Sequence, residues 1–168
     1  MDLALANILG ALSMAVMDRI EEAARDVLGR SGETPAALIV IGYGQGITND
    51  RLCRILGLSH SGAVRLVDRL VADELVERRR GRDARETALH LTQKGAETRR
   101  ALLCSRLSTV NALLDVLSDS EQSRLEALVR NLLARQATSE GDRYRICRLC
   151  DAAVCERCPL PTGVRAPA

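Results

Sequence analysis

A chain of 168 residues has room for one domain with a sizeable core, or for a small domain plus a dimerisation element. At 46% hydrophobic and 27% charged residues the composition is globular and excludes wholesale disorder; with two Tyr and no Phe or Trp, the core has to be aliphatic. The same poverty argues against base stacking, and so against single-stranded nucleic acid, while the net charge of +2 hides 13 Arg and Lys against 8 Asp and Glu between Thr48 and Arg106.

From Asp2 to Leu28, apolar residues at Leu5, Ile8, Leu9, Leu12, Val16, Ile20, Val27 and Leu28 recur at roughly helical spacing and predict one long helix, ended by Gly29-Arg30-Ser31-Gly32. A helix this apolar must pack on the domain or on a second subunit. No basic leader precedes an apolar run, and no stretch approaches about 18 uncharged apolar residues, so the expectation is a cytoplasmic protein with no membrane partner.

Thr34-Pro35 offers an N-cap followed by proline in the first turn, predicting a short helix through Ile41. Gly42-Tyr43-Gly44-Gln45-Gly46 is then read as a break and a connector, since a phosphate loop would need Lys-Ser/Thr after it. Thr48 caps a helix through Leu56, Gly57-Leu58 makes a turn, and Ser59 caps the next helix. There, Val64, Val67, Leu70 and Val71 form the expected inward stripe, which leaves Ser59, His60, Ser61, Gly62 and Arg65 facing out near the N-terminal end. Small, polar and cationic residues in that place suit base edges and phosphates of a major groove. Helix, glycine-containing turn and helix together make the helix-turn-helix plan.

Leu75 to Arg79 reads as a strand and Thr87 to Leu91 as its partner, with Arg80-Gly81-Arg82-Asp83-Ala84-Arg85-Glu86 as a basic hairpin tip. Such a hairpin behind a helix-turn-helix is a wing. It can set Arg80, Arg82 or Arg85 into the narrow, negative minor groove, while Asp83 pairs with a neighbouring Arg and shapes the tip.

In LGLSHSGAVRLVDRL, then LVERRR, then GRDARETALHLTQKG, the stretch from Thr48 to Gly95 resembles the DNA-binding core of the multiple-antibiotic-resistance regulator (MarR) family. The resemblance implies a winged helix-turn-helix, a dimer built by the terminal helices, and binding to palindromic operators, with repression as the implied sign. Ser59 to Arg69 would be the recognition helix, which adds Arg69 to the DNA-facing set. Asp83 and Arg85 match the wing's Asp-x-Arg, and Leu91-Thr92-x-x-Gly95 matches the Leu-Thr-x-x-Gly that ends it. The chain departs from the pattern in its short wing tip and in Gly62-Ala63, where the family often has a hydroxyl residue.

Thr92 caps a long helix through about Val116, and Ser118 with Glu121 has capping-box spacing for a final helix striped by Leu125, Leu128, Val129, Leu132 and Leu133. These helices and the first carry more apolar surface than a small winged domain covers, so a two-fold dimerisation bundle is expected. Cys53 and Cys104 fall on apolar helix faces and read as core residues.

Beyond Gly141 lies Cys147-x2-Cys150-x4-Cys155-x2-Cys158, followed at once by Pro159. Two Cys-x-x-Cys pairs so close can turn four thiolates onto one metal centre, and Arg143, Arg145, Arg148 and Arg157 offset thiolate charge. Tetrahedral Zn2+ is placed slightly ahead of an iron–sulfur cluster, with redox disulfides third; zinc would tie the tail to the helical bundle. No enzyme constellation emerges, since neither His60 nor His90 has an evident carboxylate or nucleophile partner in sequence.

The fold expected is mainly α with a small β-hairpin wing. Its parts are an N-terminal dimerisation helix over 1–32, a winged helix-turn-helix over 33–95, C-terminal dimerisation helices over 96–140 and a Cys-rich metal-binding tail over 141–168. The reading is a homodimeric regulator of double-stranded DNA, a repressor by resemblance alone, with room for a small-molecule effector. Its rivals are a winged-helix protein-interaction module with a zinc-stabilised docking tail, and a redox iron–sulfur protein.

Overall fold

In a computed structural model of the chain, the described residues are 3–44, 46–81, 86–137, 139–155 and 158–160. Seven helices and three short strands follow in the order α1 (Leu3–Leu28), α2 (Thr34–Tyr43), β1 (Ile47–Thr48), α3 (Asn49–Leu56), α4 (His60–Ala72), β2 (Val76–Arg80), β3 (Thr87–Leu91), α5 (Gln93–Leu114), α6 (Asp119–Leu133) and α7 (Glu140–Ile146). The sheet is antiparallel in the order β1-β3-β2, with Ile47 opposite Leu89 and Val76 opposite Leu91.

The core gathers around α2. Its residues from Thr34 to Ile41 are all buried, so it is apolar on every side and is enclosed by α3, β3 and α5. Onto it pack Leu52, Ile55 and Leu56 of α3, Leu66, Val67 and Leu70 of α4, Leu75, Val76 and Leu89 of the sheet, and Leu102 and Leu103 of α5. This is the all-aliphatic core that the composition requires.

Several local expectations need correction. Helix α2 starts at Thr34, with Glu33 at the cap, and runs on through Gly42 and Tyr43. Gly42 does not break the helix; it lets α5 come close, because a Cβ there would stand 2.2 Å from Cδ of Arg99. The inward stripe of α4 is Ala63, Leu66, Val67 and Leu70, with Val64 and Val71 only half-buried. Cys53 is buried as expected, whereas Cys104 is exposed. Strand β1 and helix α7 have no counterpart in the sequence reading.

The wing is locked to the body where the Leu91-Thr92-x-x-Gly95 sequence crosses the start of β2. Thr92 caps α5 by accepting from the Gly95 amide at 3.0 Å, and its hydroxyl donates to the Glu74 carbonyl at 2.6 Å. The Thr92 amide donates to the Leu75 carbonyl at 3.1 Å. That same carbonyl oxygen lies 1.9 Å from where a Cβ on residue 95 would sit, so only glycine fits. At the hairpin's far side, the Gly81 amide donates to the Glu86 carbonyl at 2.8 Å.

Helix α1 packs on α5 through its C-terminal half, where Ile20 and Ala23 are buried. Its N-terminal half leaves Leu3, Leu5, Ile8, Leu9, Leu12 and Met14 exposed, and α6 likewise leaves Leu125, Leu128, Val129 and Leu132. By length and composition alone α1 is apolar enough to cross a membrane, a test that core helices of soluble proteins also pass.

Candidate functional site

Ser59 sits in extended backbone and accepts from the Gly62 amide at 3.1 Å, which opens α4. Gly57, with φ of +66°, turns the chain between α3 and α4 in the left-handed conformation that glycine tolerates. From this fixed start, His60, Ser61, Arg65 and Arg69 project from α4 into solvent, beside the half-buried Gly62. Ser59 is itself exposed, but its hydroxyl is engaged by the cap. His60 Nδ1 lies 3.2 Å from Asp50 Oδ1 of α3, so this histidine does have a carboxylate neighbour, one that only folding across the turn supplies.

The charges on the wing divide into two groups. Arg78 pairs with Asp68 of α4 at 2.6 Å, and Arg79 pairs with Glu77. The first of these braces β2 directly against α4. Arg65, Arg69 and Arg80 are exposed and have no ion-pair partner among the described residues. Arg82, Asp83 and Arg85 lie outside the described residues.

The cysteine tail packs on the winged head, where the chain's two tyrosines hold it, and also meets α5 at Arg106. The Tyr43 hydroxyl donates to the Cys150 carbonyl at 2.6 Å and accepts from the Ala152 amide at 2.6 Å. Burial pushes its pKa up, with the amide donor and Arg99 working against that. Arg99 lies over the Tyr43 ring at 4.3 Å. Tyr144 of α7 accepts from Arg51 of α3 at 3.1 Å, and Tyr144 and Leu149 pack against the core.

Cys147 ends α7, and the Cys150 amide donates to its carbonyl at 2.9 Å, closing a tight turn. The thiols affect one another's titration: Cys150 and Cys158 act on Cys147, and Cys158 acts on Cys155. The Cys147 thiol is pushed up, first by sharing its proton with Cys150 and then by burial. Cys150 is lowered to about 6 because Cys147 donates to its thiolate; burial opposes this, and Arg106 assists it. Burial raises Cys155, and Cys158 adds to the effect. The Arg106 guanidinium stands 4.0 Å from the Cys150 sulfur, yet its buried Nε has no hydrogen-bond partner among the described residues. All four sulfur-bearing residues border a cavity of about 610 Å³ together with Arg51 and Arg54 of α3 and Arg80 of the wing. As the side chains stand, no three His, Cys, Asp or Glu among the described residues are arranged to hold a metal ion.

Tyr43, Tyr144, Arg106 and Asp50 were not singled out in the sequence reading. The one signal for any of them was that a chain nearly free of aromatics keeps two tyrosines.

The class these elements define is a winged helix-turn-helix protein of mainly helical architecture. Residues 28–86 match the sequence model of the MarR family. The chain is 36% identical over 88 residues to the transcriptional repressor MprA of Escherichia coli (strain K12), a match over 52% of this chain and 50% of that protein. It thus spans about half the length of that curated relative. Among solved structures, MepR, a transcription regulator of the Staphylococcus aureus multidrug efflux pump MepA, superposes with a TM-score of 0.68 at 16% identity, over 77% of this chain and 96% of that one. Apo MarR from E. coli gives 0.61 at 25% identity, over 74% and 96% respectively.

Proposed function

We propose that the protein is a transcriptional repressor that binds a palindromic operator in double-stranded DNA as a homodimer, is cytoplasmic, and has no catalytic role. The observation that carries this reading is the row Ser61, Arg65 and Arg69 on the open face of α4, braced through Asp68 and Arg78 to a wing that ends in exposed Arg80. Guanidinium groups without carboxylate partners among the described residues, on two elements joined by that ion pair, suit phosphates and base edges across adjacent grooves. The likeness to a protein described as a repressor supports the sign of regulation.

A second copy of the chain is the occupant assigned to the exposed apolar faces of α1 and α6. Two winged heads related by a two-fold axis read two half-sites, and the terminal helices carry the exposed leucines such a dimer needs. The cysteine tail, seated on α2 and α3 of the head, is the regulatory input in this reading, and the cavity beside it is large enough for a small-molecule effector.

Fluorescence anisotropy on a set of genomic duplexes over a range of salt concentrations tests the proposal. A preferred duplex with a steep salt slope is expected. Arg65→Ala and Arg69→Ala should each weaken binding and flatten the slope by about one unit for every phosphate left without its cation. Undiminished binding by the double variant would remove α4 from the interface. Absence of any DNA preference would favour a protein-interaction module.

A further inference from the structure

We propose that Cys147, Cys150, Cys155 and Cys158 are the four thiolate ligands of one Zn2+ ion, which pins the C-terminal tail across α2, α3 and the base of the wing. All four residues border one cavity, and Cys147 and Cys150 close one tight turn beside it. Four thiolates brought onto one ion at bonds of about 2.3 Å would make a tetrahedral zinc centre. Among the described residues no three His, Cys, Asp or Glu stand arranged around a common centre, so the sulfurs have to turn toward the ion as it binds.

The surroundings suit a thiolate centre in particular. The Arg106 guanidinium reaches toward Cys150 from α5 while its buried Nε lacks a partner among the described residues. A buried donor left open is costly unless an acceptor arrives, and a metal-thiolate centre of net charge −2 supplies anionic sulfur there. Arg51, Arg54, Arg143 and Arg148 border the same cavity and offset that charge. The backbone is held in advance, because Tyr43 fixes the Cys150 carbonyl and the Ala152 amide within the loop joining the two Cys-x-x-Cys pairs. Binding displaces whatever protons the four thiols still carry and changes no oxidation state.

This site does not depend on the DNA reading, and its test does not use DNA. The full-length protein is purified under anaerobic, reducing conditions, and its metals, acid-labile sulfide and thiol alkylation rates are measured. Expected are one zinc per chain, no colour, and four thiols protected from alkylation until a strong chelator is added, while the exposed Cys104 reacts at once. Stripped wild-type protein titrated with Co2+ should develop the visible absorption of a tetrahedral thiolate site and lose it on adding Zn2+. The variants Cys147→Ser and Cys158→Ser should lose the metal and Cys104→Ser should keep it. A brown protein with iron and sulfide would overturn the zinc assignment. Metal-free protein in which all four thiols alkylate as fast as Cys104, with no cobalt spectrum from wild type, would overturn the site itself.

Discussion

Gly95→Ala probes how the wing is fastened. The added Cβ would sit 1.9 Å from the Leu75 carbonyl oxygen, where carbon and oxygen normally approach to about 3.3 Å. The backbone must therefore retreat by about 1.4 Å, and it is the same carbonyl that accepts from the Thr92 amide at 3.1 Å. Overpacking costs about 1–3 kcal/mol, and a polar group that loses its partner adds about 1–3 kcal/mol. The sum of about 2–6 kcal/mol is a large part of a stability of roughly 5–15 kcal/mol. With a urea slope of about 2 kcal/mol/M, the midpoint should fall by about 1–3 M at fixed protein concentration, and operator affinity at low urea should fall with it. Gly141→Ala, whose Cβ meets only Ser139 Oγ at 3.7 Å, is the control and should be neutral or slightly stabilising. A Gly95→Ala midpoint equal to that of the wild type would refute the close approach on which the wing's placement rests.

Other expectations can be checked in the same way. Tyr43→Phe removes one donor to Cys150 and one acceptor from Ala152; a loss of about 1–3 kcal/mol is expected, with faster amide exchange in residues 147–153, and unchanged exchange would show that the hydroxyl does not hold the tail. Leu9→Glu with Leu128→Glu places charges on the exposed faces of α1 and α6 and should convert a dimer to a monomer by light scattering, whereas a mass that does not change would move the interface elsewhere. At the start of α6, hydrogen bonds from the Ser118 hydroxyl and then the Ser118 amide lower Glu121 from its ordinary 4.5. A carboxyl whose folded pKa is depressed contributes stability that is full above its unfolded value and is lost as pH falls through the folded one. Wild type should therefore lose its advantage over Glu121→Gln on acidification through the carboxylate range, and a constant difference would mean the capping box does not titrate.

The sequence by itself determined what depends on near neighbours. Thr48, Ser59, Thr92 and Ser118 stand at the caps expected of them, and β3 spans Thr87–Leu91 as read, because caps and alternation are written within a few residues. The outward placement of His60, Ser61 and Arg65 followed from the same helical period, while Arg69 came only from the family resemblance. The tertiary structure alone decided the rest. Gly42 reads as a helix breaker until Arg99, far along the chain, needs the space, and His60 acquires Asp50 only when α3 and α4 turn against each other. The tail shows two Cys-x-x-Cys pairs in sequence, but no local pattern says that Tyr43 and Arg51 will receive it on the head. Pairings between residues so distant in sequence depend on how the aliphatic core closes, and that closure is a property of the whole chain.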